Sequence, residues 1–307
     1  MTTPTIRHLT QNVGASKQAP VLLIFVGVLL SLNVLLSKQA AASGVAMLWY
    51  LTLSMGGSGL VLLLLAARSR GLGRELLGIL PYSVGSGALL ALGMALGYLT
   101  VARVGAAFVA LTMAFPTLLT YLMSIAIGME RHSGLRLVGV VVSLAGGIVL
   151  AQAKGGEMIP SDRLAVFAAC LIPVVLAIGN IFRSRYWPRG ATPLLLAGSM
   201  LLSGAFVTLP FAIWIEGRVV TSLWAGPAVQ LITVAATLSF TMQYVAFLRL
   251  QQIAGPVYLS QIGSIAAIVG TAVAVIFFKE HLPGSFAPAG ILIALGIILF
   301  QLSARRR

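Results

Sequence analysis

The sequence predicts an all-α, polytopic membrane protein: ten transmembrane helices arranged as two inverted five-helix repeats. Three observations predict it. Ten stretches hold no Asp, Glu, Lys or Arg, and each is 17 to 30 residues long; a bilayer-crossing helix needs about 20 mostly apolar residues. The chain is 59% hydrophobic and 8% charged, against about 25% charged in a soluble domain. Residues of the first half recur in the second at a shift near 150 positions. The runs are continuous, whereas β-barrel strands would be short and alternating.

The charge-free runs are 18–37, 39–67, 76–102, 104–129, 137–153, 164–182, 190–215, 219–248, 250–278 and 282–304, called spans 1 to 10. Span 1 carries Asn33. It is followed by Ala40, Ala41 and Ala42, which look like a cleavage site. It is read as retained, because its loss would remove a partner from the repeat. Span 2 carries Trp49 and Tyr50 near its start; with Tyr186, Trp187, Trp214 and Trp224 they fit the aromatic belt at the membrane surface. Span 3 carries Tyr98, and Gly93 and Gly97 give it a small-residue stripe for close packing. Span 4 carries Thr112 and Pro116 and runs up to Glu130. Span 5 is glycine-rich, with Gly139 and Ala145-Gly146-Gly147.

Span 6 carries Cys170, Pro173 and Asn180. Cys170 is the one cysteine, so it forms no internal disulfide, and it is expected as a small buried apolar side chain. Span 8 carries Gln243 and Tyr244. On span 9, Tyr258 and Gln261 are three apart and share a helix face. Ala266, Gly270 and Ala274 form a second small-residue stripe there, and Lys279-Glu280 follow.

The net charge is +14, but no basic stripe interleaves with aromatics, which argues against nucleic acid. The cations are read as topology, since cytoplasmic loops collect Lys and Arg. With a cytoplasmic N-terminus the inner segments hold 14 of them, Arg183 and Arg249 included, and the outer segments hold 6. Both termini are then cytoplasmic, and the expected location is the inner membrane.

At a shift of 150, Gly105 meets Gly255, Glu130 meets Glu280, Gly134 meets Gly284, Gly146 meets Gly296 and Ile148 meets Ile298. At 147, Asn33 meets Asn180, Ser37 meets Ser184 and Lys38 meets Arg185. The two Glu residues weigh most, because the chain has 6 acids in all. This divides the chain into 1–153, with a tail over 1–19, and 154–307. Five spans per half is odd, so the second copy enters the membrane inverted, as in many secondary transporters.

Asn33-Val34-Leu35-Leu36-Ser37-Lys38, the stretch Ala106 to Glu130 with Pro116 and Gly128-Met129-Glu130, the glycines of span 5, and the repetition of this pattern over 255–302 together resemble the drug/metabolite transporter superfamily, in its ten-helix EamA-type branch. The resemblance covers about the whole chain. It implies ten helices and export of a small metabolite. Two departures stand out. Leu29-Leu30-Ser31-Leu32 stands where the family often has Trp, and Trp49-Tyr50 where it often has Arg, so no role for that Arg carries over.

No Asp, Glu or His falls near the middle of a span, which argues against a carboxylate-based proton relay and against acid-ringed cation pores. Uncharged polar groups at depth must point inward, toward neighbours or a solute. The expected substrate-binding residues are Asn33, Tyr50, Tyr98, Thr112, Asn180, Gln243, Tyr244, Tyr258 and Gln261. Pro116 and Pro173 are expected hinges, and Glu130 and Glu280 gates or, more plainly, interfacial charges paired with Arg131 or Lys279. A solute carboxylate would meet Lys38 or Arg103.

The function expected is a secondary transporter moving a small neutral or zwitterionic metabolite, such as an amino acid, by alternating access. Export would run by facilitated diffusion or exchange. A passive channel or a non-transporting scaffold is the alternative. An enzyme is not expected, since His8, His132 and His281 are scattered outside the spans. Neither a cofactor nor a metal is expected. The expected partners are the solute and the bilayer, with the chain a monomer or a homodimer.

Overall fold

The computed structural model describes residues 18–70, 75–105, 108–109, 112, 115–130, 132–155, 160–217, 226–263, 265–266, 269–270, 273, 276 and 286–305. Their regular structure is helical throughout. In chain order the helices are α1 (Gln18–Ala42), α2 (Met47–Arg70), α3 (Glu75–Val104), α4 (Pro116–Ala126), α5 (Gly134–Gly155), α6 (Pro160–Arg185), α7 (Pro193–Glu216), α8 (Pro227–Ser260) and α9 (Phe286–Arg305). Among the described residues, 6 helices are long and apolar enough to cross a membrane: α1, α2, α3, α6, α7 and α8. The chain is therefore a multi-pass α-helical membrane protein.

The surface agrees. Ile24, Val28, Leu64, Phe167, Phe206, Trp214, Leu231 and Leu238 are exposed. A soluble surface rarely shows so much contiguous apolar area, whereas hydrocarbon accepts it. The interior holds the polar groups instead. Thr52, Ser58 and Ser83 donate to the carbonyls of Leu48, Ser54 and Ile79, each four residues back on its own helix. Local bonding of this kind satisfies a hydroxyl where no water reaches.

Helices pair closely where small residues allow it. α2 lies along α7, α3 along α6 and α7, α1 and α2 along α8, and α5 along α9. A methyl added at Gly59 of α2 would sit 2.7 Å from the backbone nitrogen of Leu202 on α7. One added at Gly146 of α5 would sit 2.8 Å from the carbonyl oxygen of Ala289 on α9. The hydroxyls of Thr52 and Thr208 bond each other at 2.7 Å between α2 and α7. At the end of that pair, the Glu216 carboxylate accepts from the amides of Leu48, at 2.9 Å and 3.1 Å, and Trp49, at 3.0 Å. These amides open α2 and have no partners within it, and the helix dipole favours an anion there. The Trp49 indole donates to the Gly217 carbonyl at 2.9 Å.

Three expectations are corrected. Arg249 does not end a helix: it is exposed within α8 and donates to Gln252 at 2.9 Å. The break comes later, at Gly255, with φ 77° and ψ 177° before Pro256. A charge interrupts an apolar run without interrupting backbone hydrogen bonds. A left-handed residue followed by proline interrupts both. Arg183, counted as a loop cation, lies inside the apolar helix α6, which continues two residues beyond it to Arg185. Cys170, expected buried, is exposed on α6.

Candidate functional site

α1, α3, α6 and α8, with Pro116 of α4, enclose a cavity of about 770 Å³, its open mouth included. Most of the wall is apolar: Leu30, Val34, Leu90, Met94, Leu176 and Phe247 all contribute. The polar part is small and converges. It consists chiefly of Tyr98 from α3, Asn180 and Arg183 from α6, and Gln243 and Tyr244 from α8.

Helical spacing assembles it. Asn180 and Arg183 are three apart and share a face of α6. Gln243, Phe247 and Gln251 step by four along α8 toward the same place. Gly93 and Gly97 of α3 lie in the cavity wall with no side chain to fill it. Pro116 stands at the first position of α4, where its missing N–H costs nothing.

Arg183 is 1% exposed. Its Nε donates to Gln251 Oε1 at 3.2 Å and its Nη2 to Asn180 Oδ1 at 2.6 Å. The guanidinium carbon lies 5.0 Å from the centre of the Phe247 ring, a cation–π contact. Gln251 is itself held, donating to the Asn180 carbonyl at 3.0 Å and the Ser184 hydroxyl at 2.9 Å. No Asp or Glu pairs with Arg183 among the described residues. Burying a cation costs several kcal/mol. A hydrogen bond to a charged group returns about 1.5–3 kcal/mol and a desolvated cation–π contact about 2. These neutral contacts offset part of the cost and leave the charge itself uncompensated.

Other polar atoms beside the cavity are also unused. The Tyr98 hydroxyl is buried without a partner. Its ring stacks at a tilt on Tyr50, centre to centre 5.7 Å, and the Tyr50 hydroxyl is likewise unpartnered. Tyr50 stands behind Tyr98 and does not line the cavity. Asn33 of α1 donates through Nδ2 to Gln243 Oε1, which ties α1 to α8, while its own Oδ1 is buried without a partner.

Of the residues expected to bind a solute, Tyr98, Asn180, Gln243 and Tyr244 line one cavity, and Asn33 and Tyr50 support it from behind. Thr112, Tyr258 and Gln261 are not in its wall. Thr112 donates to the Val109 carbonyl at 2.7 Å, one turn back on its own helix. Tyr258 packs on the apolar cluster of α1 and α8. Gln261 ends α8 with a helical backbone and a buried side chain. Pro173 is buried within α6, one turn before Leu176 on the face that carries Asn180. Glu130 pairs with Arg136 at 3.3 Å and is not in the cavity wall, while Arg131 and Lys279 lie outside the described residues. Glu280 lies outside the described residues. Neither Lys38 nor Arg103 lines the cavity. The cation that does, Arg183, was missed because its charge closed an apolar run. Its place three residues after Asn180 is the signal that marks it.

A solved structure described only as "Crystal structure of protein" resembles this chain, with a TM-score of 0.64 and 21% identity over 95% of this chain and 100% of that one. At that identity the likeness concerns the fold alone. No protein-family model matches the chain, and no curated protein does.

Proposed function

We propose that this chain is a secondary transporter of the drug/metabolite type, EamA branch, which moves a small organic metabolite across the inner membrane by alternating access. The observation that carries the reading is the cavity. Its wall takes α1, α3 and Pro116 from residues 1–153, and α6 and α8 from 154–307, so that relative motion of the two halves would open and close it.

The packing supports an inverted repeat of these halves. Under the shift that pairs Asn33 with Asn180, α1 corresponds to α6, α2 to α7, α3 to the first part of α8, and α5 to α9. The contact of α1 with α8 then exchanges with that of α6 with α3, while α2–α7 and α5–α9 map onto themselves. Single residues follow. Gly57 of α2 and its counterpart Gly204 of α7 both sit against a neighbouring helix: a methyl added at Gly57 would lie 3.1 Å from Thr237 of α8, and one added at Gly204 would lie 3.1 Å from the Gly87 carbonyl oxygen of α3. Gly105 and Gly255, which correspond, have φ of 84° and 77°. In this reading both termini are cytoplasmic and transport is export by facilitated diffusion or exchange.

Counterflow in proteoliposomes tests it. A carrier gives saturable uptake that is accelerated by solute loaded on the far side. Linear, non-saturating flux would instead make the chain a passive channel, and no flux with a bound solute would make it a scaffold. Tags on the two ends that report from opposite sides of the bilayer would end the inverted-repeat reading.

A further inference from the structure

We infer that the solute of this cavity is a small organic acid whose single carboxylate docks on Arg183. The inference rests on the transporter reading for its purpose and on separate geometry for its chemistry. Arg183 lines the cavity, is 1% exposed, and has no carboxylate partner among the described residues. Its Nε and Nη2 are held by Gln251 and Asn180, which aims the group, while Nη1 has no acceptor among the described residues. A guanidinium presents its donors in a planar fork that fits a carboxylate.

The Tyr98 hydroxyl, buried in the same wall and unpartnered, is a second donor for such an oxyanion. Described cavity-lining residues include no Asp or Glu to hold an ammonium group and no second cation to balance a dianion. This separates a monocarboxylate from a cationic drug and from a phosphate ester. The body of the acid would be apolar, since Leu30, Val34, Leu90, Met94 and Leu176 make the remaining wall.

The test compares acids with amides of the same shape on the full-length protein. Isobutyrate, benzoate and indole-3-acetate are titrated against isobutyramide, benzamide and indole-3-acetamide at neutral pH, with the melting temperature in detergent as readout. At least one acid should stabilise the protein saturably and bind about ten- to a hundredfold more tightly than its amide, the worth of a charged hydrogen bond. In Arg183→Gln the acid and its amide should bind alike, while Arg183→Lys should keep a preference for the acid. A merely structural Arg183 would change the melting temperature without moving that preference. If no acid stabilises the wild type, or if amides match their acids, the inference is overturned, and this comparison stands even where Arg183→Gln does not fold. Acid binding without counterflow keeps the anion site and removes the transporter reading. Counterflow of an amide with no preference for its acid keeps the transporter and removes the anion site.

Discussion

Between α2 and α7, Thr52 and Thr208 bond each other, and Gly59 lets one helix meet the backbone of the next. Around the cavity the Tyr98 hydroxyl and the Asn33 Oδ1 have no partner, and the Arg183 charge has no counter-ion among the described residues. Both regions are assembled from the same kind of helix, apolar outside and polar within. The difference is whether the protein has used its polar groups. A membrane offers no water to satisfy the unused ones, so the first region joins two helices and the second keeps polar atoms that its own side chains leave unpaired.

The contrast can be broken most strongly at the joint. Gly59→Val places branched carbons against the Leu202 backbone, and overpacking of this kind costs about 1–3 kcal/mol or more. The folded fraction by size exclusion in detergent should fall steeply. Gly78→Ala on exposed helix surface, with nothing within 4 Å, should instead raise the melting temperature slightly. If both variants behave alike, the joint is not tight. Next comes the bend. An L side chain at Gly255, φ 77°, costs about 1–2 kcal/mol in the left-handed region. Gly255→Ala should lower the melting temperature accordingly and slow counterflow, although its Cβ would meet no atom within 4 Å.

At the cavity, Gln243→Ala and Asn33→Ala should each cost about 0.6–2 kcal/mol, the range for hydrogen bonds between membrane helices. The double variant should cost little more than either alone. Additive losses in that cycle would mean that the two side chains act separately. The smallest effect belongs to Glu130→Gln. Glu130 is a third exposed, and its buried partner Arg136 also lies over the Tyr121 ring, so the loss should be about 1 kcal/mol and the melting temperature and transport should stay near wild type. A large loss of transport there would return Glu130 to the role of gate.

Much of the frame was legible in the charge-free runs. They fall on α1, α2, α3, α6 and α7 because length and apolarity decide what crosses a bilayer. Two boundaries were not legible, because charge and helix end are different things. Arg183 and Arg249 end runs, yet both lie within helices. The cost of a charge inside a membrane depends on its neighbours, and Gln251 and Phe247 are 68 and 64 positions away from Arg183 in sequence. The cavity was half legible. Polar type at depth found Tyr98, Asn180, Gln243 and Tyr244. It also admitted Thr112, whose hydroxyl is spent on its own helix, since residue type says nothing of which way a side chain faces.

Glu216 adds a mechanical consequence. One carboxylate at the last turn of α7 grips both leading amides of α2, so the two rods share a pin at that extremity. Beyond that pin Thr52 meets Thr208 and Gly59 meets the Leu202 backbone, so the two rods are fastened along their length and would turn as one body.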